Sequence, residues 1–165
     1  MKEINVFTTT RIFNAPRQLV WDAWTKQEHL SKWFTPPGLG AGKSELDFRP
    51  GGTYHYSMVT PDGQTMWGLW TFKEIDPIDS MTVITAFSDE ARGVIPAPIA
   101  KNWPLRTLSV TNFEDMGDKT KLTLNWQPYE ATDAEIEMFN NSHDSMNQGW
   151  GGTMKQLDDY LASIQ

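Results

Sequence analysis

Two periodicities divide the chain. Residues 53–59, "TYHYSMV", alternate as a strand does, which puts Tyr54, Tyr56 and Met58 on one face and His55 and Ser57 on the other. Met66, Gly68, Trp70 and Phe72 repeat the same two-residue phase, as do Leu122, Leu124 and Trp126. Residues 4–13, "INVFTTTRIF", are rich in β-branched and aromatic types and predict the first strand. The turn signals "PGG" at 50–52, "PDG" at 61–63, "DPID" at 76–79 and "EDMGD" at 114–118 lie close enough together to predict antiparallel hairpins rather than crossovers. Residues 88–104, "SDEARGVIPAPIAKNWP", are too long and proline-rich for a hairpin turn and are expected to form a covering loop.

A helical period appears near both ends. "NAPRQLVWDAW" places Pro16 in a first turn, with Val20, Ala23 and Trp24 on one face, and "EHLSKWF" predicts a second short helix carrying Trp33. From a capping box at Thr132 and Glu135, a last helix is expected to run to about residue 162, or roughly 40–45 Å at 1.5 Å per residue. Its apolar stripe is Ile136, Phe139, Met146, Trp150, Met154, Leu157 and Leu161, and His143 falls on the same stripe. Gly149, Gly151 and Gly152 sit inside that helix, where each glycine costs about 0.5–1 kcal/mol relative to alanine. The expectation is that they let the backbone approach the sheet closely or bend while Trp150 projects inward.

The order is strand, two short helices, a run of antiparallel strands and one long helix. That pattern predicts an α+β fold in which a curved sheet wraps the C-terminal helix, in a single domain over residues 1–165. Two layers that curve apart leave a concave apolar space, the kind of place where small molecules bind.

Composition sharpens this picture. Eight Trp, eight Phe, four Tyr and eight Met in 165 residues can fill an ordinary core, but they also suit walls that adapt to an apolar guest. A net charge of −7 without a basic stripe argues against nucleic-acid binding. The absence of cysteine removes disulfides, thiol nucleophiles and cysteine-based metal sites. With no apolar run long enough to span a bilayer and no secretory signal pattern, a cytoplasmic location is the expectation.

Motif chemistry is sparse. "PPGLGAGKS" at 36–44 approaches a phosphate-binding loop, but Pro37 stands where glycine is required and "SELDFRP" alternates like a strand, so nucleotide binding is rejected. His29, His55 and His143 are far apart and show no metal-ligand spacing, and no cofactor motif or metal site is expected. His143 is the single weak candidate for acid/base catalysis, set against a half-buried packing role. Most acids, including Asp62, Asp76, Asp79, Asp115 and Asp118, occupy turns.

The stretches "TTTRIFNAPRQLVWDAWTKQEHLSKWF", "DFRPGGTYHYSM", "PDG", "NWPL" and "SMNQGWGGTMKQLDDYLASI" resemble the bacterial relatives of the heat-shock-protein-90 ATPase activator, within the START-like (SRPBCC, helix-grip) superfamily. The resemblance covers nearly the whole chain. It implies a sheet of about seven antiparallel strands gripping a long C-terminal helix over a deep cavity. Many superfamily members hold lipids, sterols or polyketides there, and a minority catalyse cyclisation or dehydration. The chaperone connection is discounted, because the eukaryotic activator has a further domain that does much of the chaperone binding.

The expected function is therefore binding of a small hydrophobic molecule, of lipid, polyketide or aromatic type, between sheet and helix. Expected ligand-binding residues are Trp33, Tyr54, Tyr56, Met58, Met66, Trp70, Trp126, Phe139, His143, Met146 and Trp150. Access is expected near the 88–104 loop and the second helix. The alternatives are a cyclase- or dehydratase-like enzyme in which His143 or a tyrosine moves a proton, and a protein-interaction module touching a chaperone. A homodimer is compatible with the sequence.

Overall fold

The computed structural model describes residues 2–98 and 100–165. Its elements are β1 (Phe7–Phe13), α1 (Arg17–Thr25), α2 (Gln27–Trp33), β2 (Gly40–Leu46), β3 (Thr53–Val59), β4 (Thr65–Asp76), β5 (Ser80–Ser88), β6 (Val94–Ile95), β7 (Thr107–Asp115), β8 (Thr120–Pro128), α3 (Asp133–Asn140) and α4 (His143–Ser163). One open antiparallel sheet takes the order β1-β8-β7-β5-β4-β3-β2, with β6 paired to the far end of β5. The antiparallel sheet and long C-terminal helix match the expected architecture.

Several local expectations are corrected. The first strand begins at Phe7, not at residue 4. Pro16 is extended (ψ 153°) and caps α1 from outside the helix, where its missing N–H costs nothing. The segment from residue 88 does start with a tight hairpin: Asp89 Oδ1 accepts from the Gly93 N–H at 2.7 Å, and Ser88 pairs with Val94. Only the part beyond β6 is a covering strap.

The C-terminal helix is also two helices. The Thr132–Glu135 capping box forms as expected, but α3 ends at Asn140 and α4 starts at His143, leaving 21 residues, about 31 Å, in the long element. The Ser142 hydroxyl donates to the Met138 carbonyl at 2.6 Å, a local bond that competes with continued helix at the break.

The glycines of α4 act differently from one another. A Cβ at Gly152 would collide with Pro37 Cγ, so this glycine lets the helix pass beneath the loop after α2 rather than against the sheet. At Gly149 and Gly151 a Cβ would meet nothing within 4 Å. The interruption lies upstream of the glycines, at residues 141–142.

Polar ties hold α4 across the sheet. Arg11 on β1 donates through Nε and Nη2 to Asp158 Oδ2 at 2.9 and 2.7 Å, and Gln156 Nε2 donates to the carbonyls of Trp33 and Thr35 at 3.0 and 2.7 Å. The buried residues form two clusters. The larger joins α1, α2 and the concave sheet face to Met154, Leu157 and Leu161; the smaller consists of Phe7, Phe139 and Met146. Trp126 and Trp150 touch both.

Candidate functional site: the space between the two core clusters

Between these clusters lies a partly open pocket of about 480 Å³. Its floor is the concave sheet face, with Tyr56 and Met58 from β3, Trp70 from β4, and Leu124 and Trp126 from β8. Met146, Trp150 and Thr153 of α4, with Trp24 of α1, form its roof. The strap contributes Ala97, Ala100, Trp103 and Pro104, facing Met138, Ser142 and Ser145 where α3 meets α4.

Local sequence explains these placements. Tyr56 lies directly opposite Gly68 in the β3–β4 pairing, and a Cβ at Gly68 would collide with the Tyr56 ring, so the glycine gives the phenol its bed. Burial, together with neighbouring Tyr54, pushes the Tyr56 phenol well above its ordinary pKa, with a smaller opposing effect from the Trp70 indole. At neutral pH it is therefore a protonated donor and acceptor, not a base. Trp24, Trp70 and Trp150 present nearly parallel rings: Trp24 lies at 26° to Trp70 and 20° to Trp150, with centroids 6.4 Å apart in each pair. Trp103 anchors the strap against Trp126 at 5.7 Å and Phe139 at 5.8 Å.

Of the expected ligand-binding residues, Tyr56, Met58, Trp70, Trp126, Met146 and Trp150 are brought together around this space. Trp33, Tyr54, Met66, Phe139 and His143 are not part of its wall. Trp33 is buried behind Trp24, its indole N–H donating to the Ala23 carbonyl at 2.9 Å. Tyr54 is buried two residues along β3 from the wall residue Tyr56 and stacks on it at 4.8 Å. Met66 pairs with Met58 at the far end of the β3–β4 ladder. Phe139 is fully buried beneath Trp103 and Trp126.

His143 faces away from the space. Its Nε2 lies 2.9 Å from the Asn5 carbonyl, which can only accept, so Nε2 carries the proton, and the ring sits edge-on to Phe7 and Phe139 at 5.6 Å. It pins the N-terminal segment to the start of α4. His55 is likewise committed elsewhere, stacked on Trp67 at 4.6 Å with Nε2 2.9 Å from the Asp89 carbonyl.

Sequence reasoning missed the hydroxyls on the sheet side of the wall, Thr85 on β5 and Thr107, Ser109 and Thr111 on β7. Their signal was the alternation "TLSVTNF", whose buried phase is marked by Phe113. Among the described residues no Asp, Glu, Lys, Arg or His lines the space. Among them, too, no group of three His, Cys, Asp or Glu side chains could hold a metal ion, and no helix is long and apolar enough to cross a membrane.

An antiparallel sheet curved around a C-terminal helix, with two short helices after its first strand, defines a helix-grip protein of the START-like class. The sequence profile described as "Activator of Hsp90 ATPase homolog 1-like protein" matches residues 14–162, and the chain belongs to that family. A solved protein from Arthrobacter aurescens is similar at 26% identity and a TM-score of 0.78, over 96% of this chain and 86% of that one. A protein from Nitrosomonas europaea shares the fold at 22% identity and a TM-score of 0.76, covering 99% and 98% of the two chains. One from Mycobacterium smegmatis does so at 23% identity and 0.74, covering 97% and 96%. No curated protein matches the sequence.

Proposed function

We propose that this protein binds a small hydrophobic molecule in the space between the sheet and α4. The observation that carries this reading is the apolar gap of about 480 Å³ separating the two core clusters, which the protein's own side chains leave unfilled. Ordinary interiors are packed to crystal-like density, whereas spaces of roughly 300–1,000 Å³ lined by apolar and aromatic groups hold ligands. Met58, Met81, Met138 and Met146 around the gap can adjust to the shape of a guest. Access is between Ala97 and Ala100 of the strap and the α3–α4 break, where these small side chains and Gly149 border the gap.

The lining favours holding over reacting. It has no acid or base of matched pKa, Tyr56 keeps its proton, and His143 is engaged with Asn5. The test is a thermal-shift panel of neutral lipids, sterols and polyketide-type aromatics, followed by calorimetry. A true guest at 100 times its Kd stabilises the native state by about 2.7 kcal/mol and raises Tm. A panel in which nothing raises Tm overturns the reading.

A further inference from the structure

The wall of this space is chemically two-sided. On β7 the residues facing the concave side are Thr107, Ser109, Thr111 and Phe113, while Leu108 and Val110 face the other side and are only half-buried. A strand that follows its own hydropathy would do the reverse, and a one-residue slip would exchange the two sets. Phe113 locks the observed phase, packed against Trp21 at 5.2 Å and Trp24 at 6.2 Å. The central strand thus turns hydroxyls inward, and such conflicts between local pattern and global fold concentrate at functional sites.

These inward groups are not all satisfied by the protein. The Thr107 hydroxyl pairs with Thr85, but those of Ser109 and Thr111 take part in no side-chain hydrogen bond among the described residues. The Trp24 indole Nε1, the one fully enclosed side-chain polar atom without a partner among them, is sealed from the space and lies out of a guest's reach. The Ser109 and Thr111 hydroxyls are both reachable from the space, and a polar group left there without a partner once an apolar guest expels water is costly, so they point to a guest that brings a polar atom of its own. Hydroxyls give to or accept from a neutral oxygen. An ionised guest would find no counter-charge.

Granted the binding function proposed above, we infer that the guest is an uncharged aromatic molecule carrying a carbonyl or hydroxyl oxygen. Its rings lie against Trp24, Trp70 and Trp150, and its oxygen meets Ser109 and Thr111. The ionised form of the same skeleton is refused.

Calorimetry of the full chain at pH 7 with three isosteric probes tests this: 2-acetonaphthone, its alkene analogue 2-isopropenylnaphthalene, and 2-naphthoate. The ketone is expected to bind at least about tenfold more tightly than the carboxylate. Thr111→Val, and separately Ser109→Ala, should weaken the ketone about five- to tenfold and move the alkene less than about twofold. Equal affinity for ketone and carboxylate overturns the inference, as does a substitution that shifts ketone and alkene together or neither. If none of the three binds while a sterol or aliphatic lipid raises Tm, this inference falls and the binding function stands. If no compound of any class acts, both fall.

Discussion

At the scale of single residues, Gly149 and Gly152 on α4 are predicted to respond oppositely to the same substitution. Gly149→Ala should stabilise the protein by about 0.5–1 kcal/mol, because the new methyl meets open space and the helix gains a better former. Gly152→Ala should lower Tm, because its methyl meets Pro37. Thermal melts of the pair decide the matter, and equal shifts would contradict the close passage of α4 beneath that loop. Burial raises the Tyr54 phenol to about 12, an effect the Ser44 hydroxyl only partly offsets, and raises that of Tyr56 further still. Below pH 10 folded and unfolded chains both keep these protons; above it the unfolded chain releases them first, so stability falls as pH rises from about 10 to about 12. Alkaline melts should show this loss, and Tyr54→Phe should reduce it by about 2–3 kcal/mol. Residue by residue, what the sequence disclosed was phase. Tyr56, Trp70 and Trp126 are legible because alternation separates the two faces of a sheet. Alternation says nothing of position along a strand, so Tyr54 and Met66, in the same phase, lie beyond the space. His143 is the helical counterpart: it occupies the apolar stripe, but at the first turn of α4 that stripe meets the N-terminal segment and not the gap.

At the scale of elements, the misread ones are those where side-chain chemistry overrides period. The stripe from Ile136 to Leu161 continues across the α3–α4 break, so periodicity alone predicts one helix; the interruption depends on Ser142 turning to Met138. The strap was legible from its prolines, and its fastening was not. Glu135 accepts from the Thr132 N–H at 3.0 Å and from the Leu105 N–H at 3.2 Å, so one carboxylate serves both the cap of α3 and the end of the strap. Thr132→Ala should cost about 1 kcal/mol through the cap alone. Glu135→Ala should in addition raise amide exchange at Leu105 and through residues 100–106, leaving the β4–β5 ladder protected. Exchange that rises equally everywhere would show that the strap is not an independent unit. The inverted alternation of β7 could have been read from Phe113, whose bulk makes it the surest inward residue of that strand.

At the scale of the whole molecule, the resemblance carried by the N-terminal and C-terminal stretches predicted the architecture, because the order of elements and the need to cover one sheet face leave few alternatives. The division of the core was not predictable, since it arises from side chains far apart in sequence, Phe7 with Phe139 on one side and Phe13 with Leu157 on the other. The net charge of −7 is carried outside a lining that has no ionisable acid or base except the Tyr56 phenol. Affinity for a neutral guest should therefore stay level from low to high salt, and a steep salt dependence in calorimetry would place binding on the surface instead. Five of the eight tryptophans, Trp24, Trp70, Trp103, Trp126 and Trp150, border the gap. The chain thus carries its own optical reporter: any aromatic visitor would sit within energy-transfer range of most of its emitting indoles, and the colour and intensity of its ultraviolet glow would register occupancy without an added dye.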